Sequence, residues 1–131
     1  MTTYEKLLSE AYENGITVKE KPLQSSDGRI YNNRIAIRKS IETTATKSCV
    51  LAEELGHYYT SVGDIIEQDN LNNRKQENIA RKWAYEKILP IELIQFTFAD
   101  GHTEIWDMAE YLDVDEEFLK EALKYYGFLD V

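Results

Sequence analysis

Cys49-Val50-Leu51-Ala52-Glu53-Glu54-Leu55-Gly56-His57-Tyr58-Tyr59-Thr60 is the stretch on which the reading of this chain turns. Threonines at 43, 44 and 46 offer N-caps ahead of it, and Gly63 breaks the pattern beyond it, so the run reads as a helix to about Thr60. On a helix Glu53 and His57 stand one turn apart and project from one face, together with Val50. They occupy positions where a core residue would otherwise be expected, and a buried carboxylate needs a compensating charge that a metal ion can supply. Glu54 points about 100° around the helix. That is the direction from which a general base reaches a metal-activated water in HExxH hydrolases. Here the first histidine of that pattern is a glutamate, giving EExxH, and the spacing by itself also describes a surface ion pair.

Working outward, Thr2 and Glu5 form a capping box, and Tyr4, Leu7, Leu8, Ala11 and Tyr12 repeat at helical spacing up to Gly15, predicting a helix over Thr3 to Asn14. Ile16 and Val18 alternate with polar residues, Asp27-Gly28 signals a turn, and Arg34 to Arg38 alternates again: a small sheet of two or three strands. Beyond the central helix, Asp64 to Asn72 reads as a polar loop. Asn73 with Gln76 reads as a capping box opening a helix whose apolar stripe is Ile79, Ala80, Trp83, Ala84 and Ile88, ending near Pro90. Glu77 falls on that stripe, three residues before Ala80, and so is expected to face the same core as Glu53 and His57. A dipole-stabilised acid in the first turn, or a salt bridge to Arg81 or Lys82, would account for Glu77 equally well. Ile91 to Ala99 reads as a short apolar helix, followed by stripes at Ile105, Met108, Ala109 and Leu112, and at Phe118, Leu119, Ala122, Leu123 and Tyr126.

The 131 residues suit one compact domain, residues 1–131, with a core over 1–100 and an acidic helical pair over 101–131. With 15 Lys and Arg against 24 Asp and Glu, the net charge is −9. Eight of those acids lie between Thr103 and Tyr126, which argues against nucleic acid as a partner although the last two helices have a helix-turn-helix outline. No stretch approaches the roughly 18 apolar residues of a membrane span. The single cysteine, Cys49, forms no internal disulfide, in keeping with a reducing cytoplasm. Cys49 and Trp83 read as core, Tyr58 and Tyr59 as packing, Asp64 as a turn or cap residue, and His102 as an exposed residue near a helix start, outside the site.

The run from Cys49 to Thr60, followed by Arg74-Lys75-Gln76-Glu77 and Ala80-Arg81-Lys82-Trp83-Ala84-Tyr85-Glu86, closely resembles the ImmA/IrrE family of metallo-endopeptidases, in the branch found in phages and mobile elements of Gram-positive bacteria. The resemblance implies an α+β fold, a mainly helical zincin-like metalloprotease core with a small N-terminal β-sheet and a C-terminal helical pair. It implies Glu54 as the catalytic residue and His57, Glu77 and, in place of the first histidine, Glu53 as metal ligands. Zinc is the implied cofactor, with manganese as the alternative. The implied partner is a helix-turn-helix repressor that the enzyme cleaves, releasing the genes it controls; a catalytically silent relative would regulate the repressor by binding it. Two carboxylates and one imidazole neutralise a divalent cation, whereas two histidines and one carboxylate leave it a net positive charge. Water on the metal should therefore be less acidified, and activity weak or substrate-dependent.

Overall fold

The computed structural model describes residues 1–60 and 70–129. A first helix, α1 (Thr3–Glu13), leads into three strands, β1 (Thr17–Lys21), β2 (Gly28–Tyr31) and β3 (Arg34–Arg38). Five helices follow: α2 (Thr44–Thr60), α3 (Asn70–Ile88), α4 (Ile91–Ala99), α5 (Ile105–Leu112) and α6 (Glu116–Tyr126). The fold is α+β and mainly helical, as expected. The Thr2–Glu5 capping box is present in both directions, with the Thr2 hydroxyl accepting from the Glu5 N–H and Glu5 Oε1 accepting from the Thr2 N–H, each at 3.1 Å.

β3 is the central strand, paired parallel to β1 and antiparallel to β2. The turn expected at Asp27-Gly28 is displaced. Gly28 opens β2, and the hairpin reverses at Asn32-Asn33, where Asn32 takes the left-handed conformation (φ 53°) that asparagine tolerates better than most residues. Asp27 serves instead as an anchor at the start of β2: its carboxylate accepts from Arg38 at 2.6 Å, and its carbonyl accepts from the Arg38 N–H at 2.7 Å. Alternation along β3 then sends Ile35 and Ile37 into the core and Arg34, Ala36 and Arg38 to the other face.

α2 runs through the centre of the molecule, with Leu51, Ala52, Leu55 and Gly56 all buried. Its N-terminus is capped by the Thr43 hydroxyl, which accepts from the Thr46 N–H at 3.1 Å. Against it lies α3, so close at Gly56 that a Cβ there would sit 2.4 Å from the Ala80 carbonyl oxygen. α3 begins at Asn70, three residues before the expected start, so Asn73 is a helix-interior residue and not an N-cap. The rest of the expected loop, and Asp64, fall outside the described residues.

Ala80, Ala84 and Ile88 are buried as the stripe requires, but Ile79 is 47% exposed and Trp83 only half-buried, stacked on Tyr59 at 5.3 Å. The strip facing α2 is narrow because Ala80 meets Gly56 backbone to backbone, which leaves residues on either side of it turned outward. Tyr12 likewise lies outside the core. α6 buries Phe118, Leu119, Ala122 and Leu123 in the same cluster that holds α1, β3, α2 and α3. Asp115 caps α6 through the Phe118 N–H and also accepts from the Thr46 hydroxyl at 3.2 Å, which ties the start of α6 to the first turn of α2.

Candidate active site

Glu53, Glu54 and His57 are carried on α2, and Glu77 on the first half of α3. His57 is 6% exposed, held where the two helices are closest, next to Gly56. Its Nε2 donates to Glu77 Oε1 at 3.0 Å, while its Nδ1 is buried without a hydrogen-bond partner among the described residues. Glu77 is nearly half exposed (48%), so it reaches His57 from the rim of the groove and does not lie under the core stripe as its spacing with Ala80 and Ala84 had suggested. The bond acts on both partners: it raises the imidazole pKa, with burial opposing, and lowers that of the Glu77 carboxyl.

Glu54 sits under the sheet. Gly28 at the start of β2 packs on it so closely that a Cβ at that position would come within 3.0 Å of Glu54 Cγ and 2.8 Å of Val50 Cγ1. Its Oε2 is buried and has no hydrogen-bond partner among the described residues. Burial pushes the Glu54 carboxyl up to about 7, with Glu77 and Glu53 adding to the rise and His57 opposing it. Burial also raises Glu53, against the pull of Arg81 on the next helix.

These groups open on a groove of about 490 Å³ whose walls include Glu53, Glu54 and Glu77, Arg81 and Tyr85 on α3, and Phe118 on α6. A larger hollow, about 880 Å³, lies on the outer face of the sheet and contains none of them. The chemistry concentrates in the smaller one, which the carboxylates of Glu53, Glu54 and Glu77 line and where Glu77 reaches the buried imidazole of His57 behind its wall.

His57 and Glu77 are thus brought into contact, and Glu53 and Glu54 line the same groove. Among the described residues, no three His, Cys, Asp or Glu side chains are gathered closely enough to hold a metal ion. The donor chemistry nonetheless fits a divalent cation. One imidazole touches one carboxylate, Glu53 and Glu54 line the groove that this carboxylate rims, and the buried Glu54 oxygen has no hydrogen-bond partner among the described residues.

His102, set aside on the sequence, is indeed elsewhere: its Nδ1 bonds Asp107 at 2.6 Å and its ring stacks on Tyr111. Arg81 was read from the sequence only as a possible salt-bridge partner of Glu77, one turn away on the same helix face, and Gly28 only as part of a turn. Their places in the groove, with those of Tyr85 and the α6 wall, depend on long-range packing.

The chain belongs to the peptidase family described as the IrrE N-terminal-like domain, whose model matches residues 11–124. Comparisons with curated proteins and with solved structures returned no match. Membership implies a metallopeptidase-like or repressor-regulating role, a divalent metal and a protein substrate. Among the described residues no helix is long and apolar enough to cross a membrane.

Proposed function

We propose that this protein is a metal-dependent endopeptidase of the phage and mobile-element branch that cleaves a helix-turn-helix repressor in the cytoplasm, with Glu54 as general base. The observation that carries the reading is the pairing of His57 with Glu77 across two helices, at 3.0 Å, together with a buried Glu54 oxygen that has no hydrogen-bond partner among the described residues. Glu53, His57 and Glu77 would hold zinc, or manganese in its place. Bound there, the ion supplies Lewis acidity toward the scissile carbonyl.

The remaining work falls to the chain's own groups. Glu54 Oε2 takes the proton of the attacking water and returns it to the leaving amine, and a carboxyl near 7 suits both transfers at neutral pH. Gly28 keeps the space over Glu54 clear, because any side chain at that position would press on it. Residues 1–100 carry the ligands and the base, and the acidic pair over 101–131 supplies the Phe118 wall of the groove.

The test is co-expression with a candidate helix-turn-helix repressor. Glu54→Gln should lose at least about two orders of magnitude in cleavage while retaining metal, fold and repressor binding. A second reading, a catalytically silent relative that controls the repressor by binding it, is favoured by the absence of a gathered three-ligand group among the described residues. Under that reading Glu54→Gln relieves repression as well as the wild type does, and substitutions at Glu116 and Glu117 impair it.

A further inference from the structure

The outward face of the sheet carries a charge pattern opposite to that of the chain as a whole. Pairing register sets Thr17, Arg34 and Tyr31 in one row across the three strands, Lys19, Ala36 and Arg29 in the next, and Lys21 beside Arg38 in the third. Those eight positions hold five cations and no carboxylate, in a chain whose net charge is −9. Glu20, the acid of β1, alternates to the other side, where it accepts from Lys47 and from Tyr4. Arg38 is ion-paired with Asp27, whereas Lys19, Lys21, Arg29 and Arg34 pair with no described carboxylate.

This arrangement does nothing for the sheet itself. Neighbouring like charges on one face of a sheet are destabilising, and solubility is served by mixed signs. The face is also shaped: around the small Ala36 it forms the hollow of about 880 Å³, rimmed by Tyr31, which is 66% exposed. An exposed tyrosine beside basic residues is the composition of a binding hot spot. The hollow shares no lining residue with the groove of Glu54.

We propose that this face docks a short acidic segment of a partner protein, its carboxylates on Lys19, Lys21, Arg29 and Arg34 and an apolar side chain against Tyr31 and Ala36. Size selects that occupant. Five residues of strand span about 17 Å, and three strands about 10 Å, so the cationic area matches a few extended residues or a short helix. A long polyanion such as nucleic acid would run past it onto the acidic remainder of the chain, where it is repelled. The inference does not depend on the groove being a peptidase site.

Fluorescence anisotropy on the full chain tests it, with a labelled short peptide of glutamates around one phenylalanine as the probe. Binding should weaken as salt rises through about 0.1 M, where the screening length falls to about 10 Å. Lys19→Glu with Arg29→Glu should weaken it about tenfold or more, Lys19→Gln with Arg29→Gln by less, and Tyr31→Ala several-fold. Lys75→Glu with Lys120→Glu, which makes the same change in net charge at exposed positions elsewhere, should leave it unchanged. The proposal is overturned if the sheet variants, folded by circular dichroism, bind as the wild type does, or if the Lys75 and Lys120 variant loses as much. It is equally overturned if a single-stranded oligonucleotide or an anionic phospholipid vesicle binds as tightly as the peptide.

Discussion

Gly56→Ala puts two physical effects in direct opposition. Alanine in the interior of a helix is favoured over glycine by up to about 1 kcal/mol, so on propensity alone the variant should be more stable. The structure argues the reverse. The added Cβ would lie 2.4 Å from the Ala80 carbonyl oxygen and 3.1 Å from Ala80 Cα, where ordinary contact begins at 3.4 Å, so α2 and α3 must separate by about 1 Å. The obstacle is backbone, which cannot rotate away as a side chain could. Overpacking of this kind costs about 1–3 kcal/mol, and with no escape route the upper end applies, leaving a net loss of about 2 kcal/mol. For a chain of this length that corresponds to a melting temperature lower by about 8 °C. Thermal unfolding followed by circular dichroism, with urea titration to confirm an unchanged m value, measures it. A variant as stable as the wild type, or more so, would show that the helices are not in backbone contact and would refute the argument. The same separation pulls His57 from Glu77, so metal affinity should fall with stability.

Native mass spectrometry should show one divalent metal per chain, lost in His57→Ala, and Glu53→His should tighten zinc by restoring two imidazoles to the donor set; equal uptake by wild type and His57→Ala would remove His57 from the ligands. Cys49 is buried and its thiol pushed up to about 12 by that burial, so thiolate is scarce at pH 8. A disulfide reagent should therefore leave it untouched in the native protein and titrate one thiol after denaturation, and fast native reaction would contradict its placement. Asp115→Ala removes the α6 cap and the link to Thr46, and should cost about 1 kcal/mol in urea unfolding, against no change if the cap is idle.

Local signals were legible where the chain answers to its own neighbours. The Thr2–Glu5 box, the α4 limits at Ile91 and Ala99, and the stripe of Phe118, Leu119, Ala122 and Leu123 all follow from capping and period, and all are present. The EExxH spacing likewise located the helix that lines the groove. What failed was set by tertiary contact. Asn73 looks like a cap, yet helical hydrogen bonding continues back to Asn70. Ile79 has the right period for the core, but the Gly56–Ala80 approach narrows the buried strip and turns it outward. Asp27-Gly28 has turn chemistry, and was recruited to hold Arg38 and clear space over Glu54. Glu77 was expected on the buried stripe and instead meets His57 from the rim, a distinction periodicity cannot make. The Phe118 wall required knowing that α6 packs beside α3.

The link between Thr46 and Asp115 joins residues 69 positions apart, and this bears on the order in which the molecule is made. A chain emerging from the ribosome exposes α1, the sheet, α2 and α3 well before α6, so Glu54, His57 and Glu77 can meet while the groove still lacks its Phe118 wall. Closing so long a loop is also entropically the costlier step. A nascent or prematurely released chain would carry the acids and the imidazole on an open shelf, and the groove gains its Phe118 wall only when α6 packs down.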